Sequence, residues 1–218
     1  MEAREALQKL FAAEENMSDG EILDFLEREC PVCTGEAVAR AALYNELGSV
    51  CRRNRLFPKG EAAFLKAADI LEEVGISDGN YATTLNNLAG LYRLSGDYDK
   101  SLEYFSRCRE LYTALPGIPA DVLASSCSNL GLLYLDKKEF SMALSEFLRA
   151  REIIAAVPEN LYVHAVTAGN MGYAYYGLGD MAKARENMLY AARTAAGFDK
   201  DMSENYMRLY RRLGGEEA

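Results

Sequence analysis

Few side chains in this 218-residue sequence have types and spacings suited to covalent or metal chemistry. There is one histidine, His164, and no tryptophan. One histidine excludes His-rich metal sites and multi-histidine acid/base chemistry. It sits in Leu161-Tyr162-Val163-His164, near a predicted helix start, with no serine or cysteine arrangement that reads as a nucleophile pair. Cys30-Pro31-Val32-Cys33 is a lone CxxC, which can supply half of a zinc site or a redox pair. No second CxxC and no βαβ pattern accompany it, so the expectation is two incidental thiols in a linker. Cys51, Cys108 and Cys127 lie on predicted helices, and all five cysteines are expected as free thiols. The acidic pairs Glu14-Glu15 and Glu72-Glu73 are adjacent on helices, point apart, and read as solvated surface. No Walker A, GxGxxG or EF-hand string occurs. The expectation is a non-enzyme without metal or cofactor. What does recur is an amide: Asn87, Asn129 and Asn170 fall 42 and 41 residues apart.

The elements that carry these amides repeat with them. Gly48, Ala89, Gly131 and Gly172 are spaced 41, 42 and 41 apart. Cys51, Tyr92, Tyr134 and Tyr175 keep the same register, as do Phe64, Phe105, Phe147 and Met188, and Ala67, Cys108, Ala150 and Ala191. Within each unit the apolar residues fall at helical spacing, as in Leu130, Leu133 and Tyr134, then Phe140, Ala143, Leu144 and Phe147. A short polar turn separates the two halves: Ser95-Gly96-Asp97, Asp136-Lys137-Lys138, Gly179-Asp180. Each unit therefore reads as helix–turn–helix. The small residue of the Gly48 series lets the second helix approach the first, and the Tyr92 and Phe105 series fill the space beyond. No unit buries its apolar face alone, so the units must stack.

The pattern resembles the tetratricopeptide repeat family. Leu88-Ala89, Tyr92, Ser101, Phe105 and Cys108 carry it, repeated by Leu130-Gly131, Tyr134, Ala143, Phe147 and Ala150 and by Met171-Gly172, Tyr175, Ala184, Met188 and Ala191. The resemblance covers residues 37 to 198. The period exceeds the family's usual 34 residues by about two helical turns, which lengthens helices without rotating their apolar faces. In this the sequence is similar to the kinesin light chain subclass. The resemblance implies an all-α, right-handed solenoid of about four units, at 37–76, 79–116, 120–158 and 161–198, and eleven helices in all.

It also implies a concave surface lined mainly by the first helix of each unit, and binding of a protein or peptide there. In the subclass, groove asparagines grip ligand main chain, which makes Asn87, Asn129 and Asn170 candidates, with Asn45 in the first unit beside Glu46. Asparagine is a weak helix former, so its recurrence needs a reason. An amide donates and accepts at once and can hold a peptide backbone whatever its side chains. The alternative is that each amide bonds the neighbouring repeat. Further groove candidates are Ser49, Arg52, Arg53, Gly90, Arg93, Leu132, Tyr173 and Tyr176, basic towards the N-terminal end and aromatic towards the C-terminal end. Arg52 and Arg93 suit a ligand carboxylate, or else pair with the abundant Asp and Glu. Chaperone-tail-binding members use lysines and arginines with asparagines. Here Ser125 and Asn129 lack a basic partner, so that use is not expected. Gly90 and Gly169 leave room for a ligand backbone or for close packing.

Residues 1–34 are expected to form an N-terminal helical cap or a degenerate repeat, with Ser18-Asp19-Gly20-Glu21 as a capping box. Residues 35–198 form the array. Residues 199–218 form a C-terminal capping helix with Met207 and Tyr210 on its face, stopped by Gly214-Gly215. The net charge is −9, of which −6 falls within residues 1–40. This disfavours nucleic acid and anionic membrane as partners. The opening MEAREALQKLF lacks the features of a signal peptide, and no apolar run is long enough to span a membrane, so a cytoplasmic location is expected. Self-association as a scaffold or dimer, or sensing of a signalling peptide through a separate effector, are the alternative roles.

Overall fold

The computed structural model describes residues 1–13 and 16–215. Among the described residues there are eleven helices and no strand. They fall into two compact units, Met1–Pro116 and Gly117–Ala218.

The first unit holds α1 (Ala3–Ala13), α2 (Asp19–Glu29), α3 (Ala37–Arg53), α4 (Phe57–Glu73), α5 (Gly79–Ser95) and α6 (Tyr98–Ala114). Ser18 caps α2 in the expected box: its Oγ accepts from the Glu21 amide, and the Glu21 carboxylate accepts from the Ser18 amide at 2.8 Å. Ala3, Ala6 and Leu10 of α1 and Ile22 and Leu26 of α2 pack with Leu43 and Val50 of α3 in one apolar cluster. The α3/α4 pair shows why its marker is glycine. A Cβ on Gly48 would stand 2.6 Å from the Phe64 ring, which is fully buried. In the α5/α6 pair Ser101 Oγ donates to the Ala89 carbonyl at 2.9 Å. Tyr92 stacks on Tyr104 at 5.5 Å and donates its hydroxyl to Glu61 at 2.5 Å.

The second unit holds α7 (Ala120–Asp136), α8 (Phe140–Ile154), α9 (Leu161–Gly177), α10 (Met181–Ala195) and α11 (Lys200–Arg212). Its two pairs repeat the same contact: a Cβ on Gly131 would meet the Phe147 ring at 2.5 Å, and one on Gly172 would meet Met188 at 2.8 Å. The last helix, α11, packs against α10, with Ser203 Oγ donating to the Ala192 carbonyl at 2.9 Å. Gly214, at φ 79°, ends it in the left-handed region.

The turn between paired helices uses that region in every repeat. Gly96 and Gly179 have φ of 89° and 80°, and the matching positions hold Arg55 at 57° and Lys138 at 60°. Glycine takes this conformation without steric cost, whereas a residue with a Cβ is strained there.

Candidate functional site

In the first unit the candidate residues come from α3 and α5. Asn45 Nδ2 donates to Thr84 Oγ1 at 2.8 Å, and Thr84 Oγ1 donates to the Asn80 carbonyl at 3.0 Å. This amide therefore joins one repeat to the next, while its Oδ1 is buried without a partner. Asn87 and Gly90 lie one turn apart on a half-buried strip of α5. The Asn87 side chain makes no hydrogen bond among the described residues. Arg52 reaches across from α3 to the same strip, its Nη1 only 3.0 Å from where a Gly90 Cβ would stand.

Arg52 is the electrostatic exception of this unit. Burial lowers its proton affinity, and the neighbouring Arg53 and Arg93 charges lower it further. No carboxylate among the described residues pairs with it. Arg53, by contrast, is held by Asp19 at 3.1 Å, and Asn54 Nδ2 donates to the same carboxylate at 2.9 Å. Arg93 is half-buried and engaged within the chain.

In the second unit Asn129 lies half-buried on α7 and is engaged within the chain. Asn170, on α9, is only 9% exposed, and its Nδ2 has no hydrogen-bond partner. One turn on stands Tyr173, 42% exposed, followed by Tyr176, 54% exposed. Gly169 serves close packing: a Cβ there would stand 2.3 Å from the Tyr206 ring of α11. Burial, with Tyr173 and Tyr162 nearby, pushes the Tyr206 hydroxyl up to about 12.

Tyr206 and the hydroxyl series Thr84, Ser126 and Thr167 are contributors that sequence reasoning missed. The hydroxyls do recur at the repeat spacing, 42 and 41 apart. Tyr206 carries no such signal, because α11 belongs to no repeat. In the second unit Ser128 stands where Asn45 stands in the first, and Thr167 where Thr84 stands. Among the described residues Ser128 makes no hydrogen bond, and the Thr167 hydroxyl is buried without one.

Cys30 and Cys33 are both buried. Burial pushes the Cys30 thiol up to about 12, with Cys33 and Glu29 adding to it, and raises Cys33 as well. Protonated thiols neither ligate metal well nor attack. No group of three His, Cys, Asp or Glu side chains among the described residues is placed to hold a metal. Glu72 accepts a hydrogen bond from the Tyr81 hydroxyl. Glu14 and Glu15 lie outside the described residues. Among the described residues no helix is long and apolar enough to cross a membrane.

Residues 39–114 match the tetratricopeptide repeat family. That stretch, α3 to α6, carries the tetratricopeptide repeat match. No curated protein matches the sequence. Several solved tetratricopeptide repeat structures are similar. BtubC (BKLC) from P. vanneervenii superposes with a TM-score of 0.69 at 20% identity, over 89% of this chain and 87% of that one. The kinesin light chain nearly identical TPR-like repeats of Podosopora anserina give 0.69 at 15% identity, over 89% and 95%. A STAND signal-transduction ATPase with a tetratricopeptide repeat sensor, from Pyrococcus horikoshii, gives 0.73 at 16% identity, over 93% of this chain but 30% of that one. At these identities the likeness is one of fold. Tetratricopeptide repeats are a general protein-interaction fold, and their family is generally non-catalytic.

Proposed function

We propose that the chain is a peptide-binding module: in the first unit Asn87 holds ligand main chain and Arg52 takes a ligand carboxylate, and in the second Asn129 and Asn170 hold ligand main chain. The observation that carries this reading is a set of polar groups that the fold leaves unpaired: the half-buried Arg52 guanidinium and Asn87 amide, and the buried Asn170 Nδ2. A buried donor without a partner costs about 1–3 kcal/mol, more if charged. A ligand that pairs Asn170 recovers that cost on binding, and one that pairs Arg52 or Asn87 satisfies a group the fold leaves open. Asn45 acts from behind, fixing α3 against α5 through Thr84. Tyr173 and Tyr176 offer aromatic faces for ligand side chains. Arg93 adds positive charge beside Arg52.

Selection of a displayed random-peptide library on the full chain tests this. Peptides carrying an acidic group are expected to be enriched, and the Asn87→Ala, Asn129→Ala double variant is expected to lose them while keeping its helicity. Retention of the same peptides by that folded variant would remove the asparagines from the binding surface.

A second reading, a sensor of a signalling peptide acting through a separate effector, draws support from the likeness to a tetratricopeptide repeat sensor. It uses the same groups and differs in what binding triggers. Self-association remains the structural alternative, favoured by the exposure of Tyr162, Tyr173 and Tyr176 on α9. Sedimentation of the full chain separates a dimer from a monomeric receptor.

A further inference from the structure

The second unit contains a cavity of about 480 Å³ between α8 and α10, over α9. It is separate from the strip of Asn170 and Tyr173, neither of which lines it. Arg151 enters from α8 and Glu186 from α10. Both are at exposed positions, and among the described residues neither lies within ion-pair distance of an opposite charge, although the Glu186 charge raises the proton affinity of Lys183. Lys183, also in the wall, is taken: Asp180 holds its Nζ at 3.1 Å, and it lies 5.2 Å from the Tyr175 ring centroid.

A second, independent observation points to a guest. Thr167 is 1% exposed, lines the same cavity, and its hydroxyl has no hydrogen-bond partner. Buried hydroxyls are almost always paired by protein or ordered water. The remaining wall is mixed, with Tyr190 and the single histidine, His164, whose Nε2 lies 3.3 Å from the Val157 carbonyl.

We infer that this cavity is a binding site for a small zwitterion of the α-amino-acid class, its carboxylate on Arg151 and its ammonium on Glu186. The charge pattern decides the class. A simple anion would leave Glu186 opposed to it, and a simple cation would leave Arg151 opposed. A ligand with both charges satisfies each wall, as Arg and carboxylate pair well with the matching end groups. The volume lies in the range of small-ligand sites. Tyr190 supplies an aromatic surface for the ligand side chain, and the Thr167 hydroxyl supplies a further hydrogen bond.

The histidine gives a clean reporter, since His164 is the one imidazole in the chain. The full chain is titrated with pools of the free L-α-amino acids of proteins while the His164 ring proton resonances are followed by NMR. At least one pool is expected to shift them saturably, with dissociation constants of about a millimolar or below. The N-acetyl and carboxamide derivatives of the active amino acid are expected to bind at least about tenfold more weakly, as are Arg151→Gln and Glu186→Gln with the parent compound. Both substitutions are at exposed positions, so the fold is retained. Asn87→Ala is expected to leave this binding unchanged, which separates it from peptide capture. No saturable shift with any pool, equal binding of the blocked derivatives, or full binding by the two charge variants would each overturn the inference.

Discussion

The Arg52 guanidinium lies against Gly90: its Nη1 is 3.0 Å from the position of a Gly90 Cβ. A half-buried cation, lowered in proton affinity by burial and by two neighbouring arginines, thus rests on bare helix backbone instead of on a carboxylate. The first prediction follows from that contact. Gly90→Ala adds a methyl group that the flexible end of Arg52 can avoid, and it improves helix propensity by about 1 kcal/mol. Thermal unfolding is expected to show equal or higher stability, while peptide binding weakens because Arg52 has moved. A loss of stability of about 1 kcal/mol or more would mean that Arg52 is fixed there by packing.

The marker glycines behave oppositely. Gly131→Ala would place its methyl 2.5 Å from the Phe147 ring, which is fully buried. Overpacking of this kind costs about 1–3 kcal/mol, more than the helical gain of alanine. Gly172→Ala faces the end of Met188 at 2.8 Å, and methionine adapts. Urea titration is expected to rank Gly131→Ala as clearly destabilised and Gly172→Ala as near neutral. The reverse order would contradict this account of the repeat.

The turn positions supply a gain of stability. Lys138 sits at φ 60° where Gly96 and Gly179 occupy the matching turns. A residue with a Cβ is strained there by roughly 1–2 kcal/mol, part of which glycine gives back as unfolded-state entropy. Lys138→Gly is expected to stabilise by about 0.5–1 kcal/mol, read as a higher urea midpoint at unchanged slope.

This turn also marks where the sequence is legible and where it stops. The polar turn, the Gly131–Phe147 contact and the capping box at Ser18 are local or periodic, so residue type and spacing disclose them. So is the recurrence of asparagine. The role of each amide is not periodic. Asn45 donates to Thr84, whereas Asn170 Nδ2 finds no partner. That difference depends on which side chain faces each amide from the next helix. Gly169 looked equally suited to a ligand backbone or to packing, and only the placement of Tyr206, from a helix outside the repeat, decides it. The state of Arg52 is not legible for the same reason: the carboxylate that reaches the end of α3, Asp19, takes Arg53.

Acid pH tests that last partnership. Hydrogen bonds from Arg53 and Asn54 hold the Asp19 carboxyl below its ordinary value of 3.8. The folded chain therefore binds this proton less readily than the unfolded one. The contribution is fully present above that ordinary value and is lost as pH falls through the lower folded value. Asp19→Asn is expected to remove part of the loss of stability on acidification below about pH 4 and to leave its shape at higher pH unchanged. Thermal melts from neutral pH downwards, compared with wild type, give the result. Identical acid limbs would show that the α2–α3 contact contributes nothing.

In the proposed site the unpaired Asn87 amide and Arg52 guanidinium of the first unit make the ligand contact. It is tested most directly by calorimetric titration of one library-selected acidic peptide into the wild type, Arg52→Gln and Asn87→Ala. Loss of a charge-assisted bond predicts at least about tenfold weaker binding for Arg52→Gln, and loss of a neutral bond about fivefold for Asn87→Ala, both with unchanged helicity. Wild-type affinity in both folded variants would contradict the account.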